Sequence, residues 1–277
     1  MNTVFITGAS SGIGKETVKY FAQKGWNVAA TMRNPSKETE LTKIANVKLY
    51  RLDVNDAASI EAALKGAITD FGGIDVVLNN AGFAVVGPFE SATDDEIRKQ
   101  FETNVFGAMR VTKAILPHFR QKNKGTIITV TSMGGLITFP LYSLYHSTKW
   151  AMEGFMESLR YELRPFNIKV KNIEPGAIKT DFYERSMNRT DKPEFNMYDA
   201  YSAVAHGNMD KVALNAPGPN VVAKKIFKAA NSGTFRLRYP VGGGAPFLLF
   251  IRRALPNRWF FGLVRMIVEK GYKKNMG

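Results

Sequence analysis

The chain has 277 residues, of which 45% are hydrophobic and 22% charged, so it suits one large globular domain and excludes disordered, collagen-like and coiled-coil classes. The absence of cysteine excludes a disulfide framework, a thiolate metal site and a cysteine nucleophile, and it predicts a cytoplasmic location. The formal net charge is +14, and nine Lys and Arg against one Glu fall between Arg236 and Gly277, which favours anionic ligands or partners.

The first two thirds of the chain alternate short apolar runs with segments of helical periodicity. Strands are predicted at residues 4–7, 27–31, 47–52, 75–79, 126–131 and 168–173, and helices at residues 16–24, 59–71, 93–119 and 144–164. This alternation is typical of a parallel sheet covered by helices on both faces. The sequence therefore predicts a single α/β domain over residues 1–277, a Rossmann-type doubly wound parallel sheet flanked by helices.

Beyond Gly176 the periodicity weakens. Residues 180–219 are polar and lack a sustained pattern, and we predict that they form a lid. Residues 234–277 are a basic, aromatic C-terminal extension, which we predict to cover the substrate. Arginines interrupt its apolar stretch, so no transmembrane segment is predicted. Subunit contact or core packing is favoured for this extension over contact with an anionic membrane surface.

A glycine-rich segment lies between the first predicted strand and the first predicted helix, and it reads GASSGIG from residue 8 to residue 14. Glycine permits a sharp turn and lets a pyrophosphate approach the N-terminus of a helix, where free amides favour negative charge. A tight turn without a ligand is the alternative. We predict dinucleotide binding here by Gly8, Ser10, Ser11, Gly12, Ile13 and Gly14.

The end of the second predicted strand indicates which dinucleotide is bound. It reads Thr31-Met32-Arg33, with no carboxylate to accept the ribose hydroxyls. A guanidinium pairs well with phosphate, so Arg33 favours NADP(H) over NAD(H), unless Arg33 is simply a solvated surface charge. Asp53 follows the third strand, where the adenine end of a dinucleotide would lie.

The sequence YHSTK from Tyr145 to Lys149 lies in a predicted helix, and Ser132 lies thirteen residues before Tyr145 at the end of a strand. Positions i and i+4 share a helix face, so the phenol and the ammonium are neighbours. A nearby cation favours ionisation of a phenol, which makes Tyr145 a usable acid or base. Ser132 can donate a hydrogen bond to a substrate oxygen.

These motifs resemble the short-chain dehydrogenase/reductase family, and the resemblance covers residues 4–182. It implies that Tyr145 exchanges the hydroxyl proton, that Lys149 binds the nicotinamide ribose, that Ser132 positions the substrate oxygen and that Asn104 holds a relay water. From its residues alone, Asn104 is a satisfied polar helix residue. The resemblance also implies a homodimer or homotetramer, and further cofactor contacts from Asp53, Val54, Asn80, Ala81, Gly82, Tyr145, Lys149, Pro175, Gly176, Ile178 and Thr180.

The ending from Thr234 to Arg265 resembles that of relatives that act on lipophilic ketones, hydroxysteroids and retinol. An apolar pocket is predicted near Phe139, Leu141, Tyr142, Phe182 and Tyr183, although these side chains could equally be core. We therefore predict an NADP(H)-dependent oxidoreductase for a ketone or secondary alcohol on a hydrophobic small molecule.

Two alternatives remain, a ketoacyl-thioester reductase acting on an acidic carrier protein and a non-catalytic nucleotide-binding protein. The histidines have no metal-ligand spacing and the basic residues form no nucleic-acid recognition module, so neither a metal nor a nucleic-acid partner is predicted. His146 lies next to Tyr145 but about 100° away on the helix, and no catalytic role is predicted for it.

Overall fold

The protein is described by a computed structural model that covers residues 1–180, 186–190 and 192–272. Its centre is a parallel sheet of seven strands in the order β3-β2-β1-β4-β6-β7-β9. These strands are β1 (Thr3–Ile6), β2 (Asn27–Met32), β3 (Val47–Arg51), β4 (Val76–Asn79), β6 (Gly125–Val130), β7 (Ile168–Pro175) and β9 (Arg238–Val241). The order reverses between β1 and β4, and the crevice beyond the carboxyl ends of these strands is the expected ligand site.

Helices cover both faces of the sheet. They are α1 (Gly12–Gln23), α2 (Ala57–Phe71), α3 (Asp94–Phe101), α4 (Ala108–Lys122), α5 (Ser143–Leu163), α6 (Asp199–Leu214), α7 (Asn220–Asn231), α8 (Ala245–Ala254) and α9 (Asn257–Val268). Successive strand residues point to opposite faces, so Phe5 packs in one core with α2, α4 and α5. Val4 and Ile6 pack in the other core with α1 and α7. This burial on both faces explains why the strands read as continuous apolar runs.

The six strands predicted from the sequence are confirmed, and the sheet has a seventh, β9, that the sequence analysis missed. Pro240 makes β9 hard to predict from the sequence, because a proline inside an apolar run argues against a central strand. β9 lies at the edge of the sheet and pairs with β7 alone, where a missing amide is tolerated. The helix predicted over residues 93–119 is α3, a π-helical turn at Glu102–Gly107 and α4.

The described parts of the two segments after β7 contain more helix and strand than their sequence indicates. Within residues 180–219, β8 (Met187–Arg189) pairs with β5 (Ala84–Val86), and a 3-10 helix at Pro193–Tyr198 leads into α6. The aromatic residues Phe182 and Tyr183, predicted near the pocket, lie outside the described residues. In the C-terminal extension, α8 and α9 pack with α6 on a third core cluster that includes Ala205, Leu249 and Phe260. Every helix in the described ranges is too short or too polar to cross a bilayer.

Candidate active site

The glycine-rich turn joins β1 to α1 in a conformation that glycine makes possible. Gly8 and Gly12 have φ angles of +65° and +51°, in the left-handed region. A Cβ on Gly14 would overlap the carbonyl oxygen of Gly8 and lie 2.6 Å from Asn80 Nδ2. Asn80 Nδ2 in turn donates to the carbonyl oxygens of Thr7 and Gly8, each at 3.0 Å. The turn is thereby held close against the end of β4.

The first turn of α1 suits a phosphate group. Its N-cap residue, Ser11, makes no side-chain capping bond within the described residues, and the first turn there holds no acidic side chain. The amides at this helix end are thus free to bind an anion, with the helix dipole adding to the attraction. The glycine-rich turn, which lines the cavity through Gly8 and Gly12, together with these amides fits the pyrophosphate of a dinucleotide.

The residues around the end of β2 place a guanidinium at one end of the cavity. Arg33 follows β2 directly, is exposed, and lines the same cavity as the glycine-rich turn. The first acidic residue after it, Glu38, accepts from the amides of Glu40 and Leu41 at 2.8 and 3.0 Å and pairs with Lys15 at 3.1 Å. Those amide bonds and Lys15 keep the pKa of Glu38 below its usual value, although burial opposes this. The Glu38 carboxylate is therefore already bonded to the amides of its own loop and to Lys15.

Ser132 lies just after β6 and caps a short 3-10 turn. Its Oγ accepts from the amide of Gly134 at 3.0 Å and donates to the carbonyl oxygen of Pro175 over a long 3.5 Å. A bond of this length is weak, so the hydroxyl hydrogen can turn towards an oxygen in the cavity at small cost. Ser132 therefore offers one donor at the junction of β6 and β7.

Tyr145 and Lys149 lie one turn apart on α5, and both line the cavity with Ser132. The Lys149 ammonium lies 5.5 Å from the centre of the Tyr145 ring and donates to the carbonyl oxygen of Val130 at 2.9 Å. Burial lowers the pKa of Lys149 to about 8, and the carboxylate of Glu153 offsets part of that effect. The pair brings a phenol and a cation to the end of β6.

Asn104 is buried in the π-helical turn between α3 and α4. Its Nδ2 donates to the carbonyl oxygen of Phe83 at 2.8 Å and to Thr148 Oγ1 at 3.2 Å, and its Oδ1 accepts from the amide of Phe83 at 3.0 Å. Both amide hydrogens are thus used to tie the segment after β4 to α5. The role of Asn104 in holding a relay water stays a prediction.

A buried charge cluster behind Lys149 is the feature that sequence analysis missed. Glu153 accepts from Thr131 Oγ1 at 2.6 Å and pairs with Arg238 Nε at 3.1 Å. Arg238 also reaches Glu174 at 3.3 Å and Glu157 at 2.7 Å. The only sequence signal for it is an acidic residue one turn after Lys149 on the same helix face. The cluster links α5 to β7 and β9 and contacts the cavity wall through Thr131, which donates to Glu153.

The cavity has a volume of about 820 Å³ and runs from Arg33 past Tyr145 to the C-terminal helices. Most of the predicted site residues line it, namely Gly8, Ser10, Ser11, Gly12, Ile13, Arg33, Asp53, Val54, Asn80, Ala81, Gly82, Ser132, Tyr145, Lys149, Pro175, Gly176, Ile178 and Thr180. Gly14 and Asn104 support it from behind. The structure therefore brings together residues that are up to 172 positions apart in the sequence, from Gly8 to Thr180.

The far end of the cavity is apolar. It is lined by Phe139, Tyr142, Met209, Val212, Leu248, Leu263, Val264, Ile267 and Val268. His146 also reaches it, stacked on Tyr142 with ring centres 5.5 Å apart, and its Nδ1 accepts from the amide of Phe139 at 3.3 Å. Burial lowers the pKa of His146 to about 3, so it is neutral at physiological pH and adds no charge to this end.

Comparison with known proteins identifies the class to which this fold and site belong. Residues 2–191 match the family model of the short chain dehydrogenases. The chain belongs to the short-chain dehydrogenase family of oxidoreductases. It is 42% identical over 212 residues to an oxidoreductase of Schizosaccharomyces pombe, covering 76% of this chain and 88% of the relative.

Other relatives and solved structures agree with this assignment. The chain is 37% identical to the oxidoreductase YusZ of Bacillus subtilis, covering 91% and 92% of the two chains. It is 38% identical to a 3-ketodihydrosphingosine reductase of Bacteroides thetaiotaomicron over 65% of each chain. A short-chain dehydrogenase structure from Streptomyces avermitilis superposes with a TM-score of 0.80 at 30% identity over 96% of both chains. The structure of ElxO with NADP bound gives 0.74 at 26% identity, covering 89% and 99%.

Proposed function

We propose that the protein is an NADP(H)-dependent oxidoreductase that interconverts a ketone and a secondary alcohol on a hydrophobic small molecule. The observation that carries this proposal is the continuity of the cavity. One end holds the glycine-rich turn and Arg33, the middle holds Ser132, Tyr145 and Lys149, and the far end is apolar. Such a layout fits a polar dinucleotide at one end and a lipophilic substrate at the other.

The preference for NADP(H) rests on Arg33. It lines the dinucleotide end of the cavity and is exposed, so its guanidinium is accessible to a 2′-phosphate. The two carboxylates of the loop after β2 are already paired, since Glu38 and Glu40 lie 3.1 and 2.9 Å from the Lys15 ammonium. The solved relative ElxO has NADP bound, and solved neighbours that share the fold have NADH or NAD bound.

The chemistry of the chain itself follows from the three residues in the middle of the cavity. A bound nicotinamide supplies or accepts the hydride. In the direction of reduction, Ser132 donates a hydrogen bond to the carbonyl oxygen and Tyr145 gives the proton that the new alcohol needs. The Lys149 cation stabilises the phenolate left on Tyr145, because its ammonium lies 5.5 Å from that ring.

The hydrophobic class of the substrate rests on the far wall. Met209 and Val212 come from the segment predicted as a lid, and Leu248, Leu263 and Ile267 come from the C-terminal extension. Both segments thus supply apolar surface where the organic part of a substrate would lie. The relative from Bacteroides thetaiotaomicron is named for reduction of a ketone, 3-ketodihydrosphingosine, which is consistent with such a substrate.

Initial rates of nicotinamide oxidation test the proposal, with NADPH and NADH and a panel of ketones from short ketoesters to steroid-like and long-chain ketones. Wild-type protein is expected to favour NADPH and bulky apolar ketones. Arg33→Ser should raise KM for NADPH by about 10–100-fold, since a charge-assisted phosphate contact contributes roughly 1.5–3 kcal/mol, and leave NADH rates nearly unchanged. Lys37→Ser, on the same loop, is the matched control and should have a smaller effect.

The variant Tyr145→Phe separates catalysis from cofactor binding. Its turnover should fall by at least about a hundredfold, the contribution typical of a positioned acid or base, while NADPH binding measured by fluorescence persists. Turnover retained by this variant would remove Tyr145 from its role. NADPH binding without turnover on any ketone by the wild-type protein would instead favour a thioester substrate or a binding protein.

A further inference from the structure

The helices α8 and α9 expose large apolar side chains on the side opposite the core. Phe247 and Phe250 on α8 are 65% and 68% exposed, and Trp259 and Met266 on α9 are 58% and 72% exposed. Residues three or seven apart share a helix face, so each pair forms one stripe. The inner faces of both helices are buried in the third core cluster, through Leu249 and Phe260 among others. We call the exposed side of α8 and α9 the C-terminal surface.

The C-terminal surface is also strongly basic. Residues 245–272 contain Arg252, Arg253, Arg258, Arg265 and Lys270 against Glu269 alone. Arg258 and Arg265 are seven positions apart on α9 and lie beside the apolar stripe, with Arg258 stacked over the Trp259 ring at 6.0 Å. Arginine stems can lie along apolar surface while the guanidinium stays in water, which is the arrangement of helices that lie in a membrane interface.

We propose that the C-terminal surface docks on an anionic phospholipid bilayer. The exposed phenylalanines, tryptophan and methionine would enter the boundary between headgroups and acyl chains, and the arginines would contact lipid phosphates. Basic side chains near an anionic membrane each add to binding, and tryptophan is favoured at this interface. The two short helices lie on the bilayer without crossing it, since they have 10 and 12 residues.

Charge argues for a lipid over a second copy of the chain as the occupant. A symmetric contact through the C-terminal surface would place this basic patch of one copy against the same basic patch of the other. Like charges opposed across an interface cost free energy, and only Glu269 is present to offset them. That carboxylate already pairs with Arg265 of its own helix at 2.8 Å. An anionic bilayer supplies the missing negative charge.

Docking through this surface would bring the apolar end of the cavity next to the bilayer, and this step rests on the proposed function. The same two helices line the apolar end of the cavity through Leu248, Leu263 and Ile267. Ile267 lines the cavity and its chain neighbour Met266 belongs to the C-terminal surface, so the cavity wall and this surface are adjacent on α9. A lipophilic substrate dissolved in the bilayer would then lie next to the cavity that receives it.

Vesicle binding by the full-length protein tests the proposal without any assay of turnover, so its failure is separable from failure of the proposed function. The protein is mixed with vesicles of phosphatidylcholine alone or with added phosphatidylserine, and bound protein is measured by co-sedimentation at low and high salt. Binding is expected only to the anionic vesicles and should weaken as salt rises. Arg258→Glu with Arg265→Glu should reduce partitioning at least about tenfold.

Tryptophan fluorescence locates the contact. Emission should shift to shorter wavelength on anionic vesicles, and Trp259→Phe should abolish the shift while the matched control Trp150→Phe on α5 keeps it. Circular dichroism confirms that the variants are folded. The proposal is overturned if wild-type protein stays in the supernatant with anionic vesicles at low salt, or if the double arginine variant binds as well as wild type. Dissociation of an oligomer by Phe250→Ser in the absence of lipid would also overturn it, because it would assign the surface to a second copy.

Discussion

At the scale of single residues, we expect Glu153 to influence the site through its effect on Lys149. It lies one turn after Lys149 on α5, is buried, and is fixed by Thr131 at 2.6 Å and by Arg238 at 3.1 Å. Burial lowers the pKa of Lys149 to about 8. The Glu153 carboxylate stabilises the Lys149 ammonium and so keeps that pKa from falling further. In the proposed reaction Glu153 would therefore act through Lys149, as a positioning residue.

Glu153→Gln should shift the pH dependence of turnover. Loss of the carboxylate lowers the pKa of Lys149 further, so the cation is lost at lower pH and the fall of kcat on the alkaline side moves down by about half a unit to one unit. The measurement is kcat for ketone reduction between about pH 6 and about pH 10. The matched control is Glu157→Gln, which removes an exposed partner of the same Arg238 and should leave the alkaline limb in place. An upward shift in Glu153→Gln would contradict this assignment.

The sequence reveals site residues where the chemistry depends on local spacing. Tyr145 and Lys149 are separated by one helical turn, so their proximity can be read from the sequence. Glu153 is equally local, but its side chain is held by Arg238, which lies 85 positions away on a strand that was not predicted from the sequence. For Asn104 the sequence does not reveal the hydrogen-bond partners. Its two amide hydrogens are donated to Phe83 and Thr148, which are distant in the sequence.

At the scale of elements, the close packing of α1 against β4 depends on the absence of one side chain. Gly14→Ala should weaken NADPH binding and destabilise the protein by roughly 1–3 kcal/mol, because the new Cβ overlaps the Gly8 carbonyl oxygen and must push the turn away from Asn80. The measurements are cofactor titration by fluorescence and urea unfolding.

A second helical glycine provides the matched control for this prediction. Gly154 lies inside α5, and nothing lies within 4 Å of a Cβ placed there. Gly154→Ala should therefore raise the free energy of unfolding by about 0.4–1 kcal/mol and leave cofactor binding unchanged, because alanine restricts the unfolded chain more than glycine does. Equal NADPH affinity in Gly14→Ala and wild type would show that the turn yields and that tight packing is not required.

Strands buried on both faces could be predicted from the sequence, whereas the edge strand β9 and the helix α6 could not. β1, β4 and β6 are short apolar runs between helices and could be located from pattern alone. β9 contains Pro240 and Arg238, and it is a strand because β7 offers it an edge. α6 mixes polar and small residues along most of its length, so its sequence shows little helical periodicity. It is held in place by contacts with α9. Its formation depends on tertiary packing.

For the whole molecule, the cluster of Glu153, Glu174 and Arg238 makes stability depend on pH. Burial, together with the nearby carboxylate of Glu153, raises the pKa of Glu174 to about 8 even though Arg238 opposes the shift. The folded protein therefore keeps a proton on Glu174 that the unfolded chain releases near its ordinary pKa of 4.5. The stability from this group is fully present below that value and is lost as pH rises through about 8.

Glu174→Gln should remove this dependence, because glutamine mimics the protonated carboxyl at every pH. Relative to wild type, the variant is expected to gain about 1–3 kcal/mol in the free energy of unfolding between about pH 6 and about pH 9, measured by urea denaturation. Glu157→Gln, at an exposed carboxylate on the same Arg238, serves as control, and its difference from wild type should stay constant over that range. If Glu174→Gln instead loses stability steadily towards high pH, the ionised carboxylate stabilises the fold and Arg238 outweighs the effect of burial.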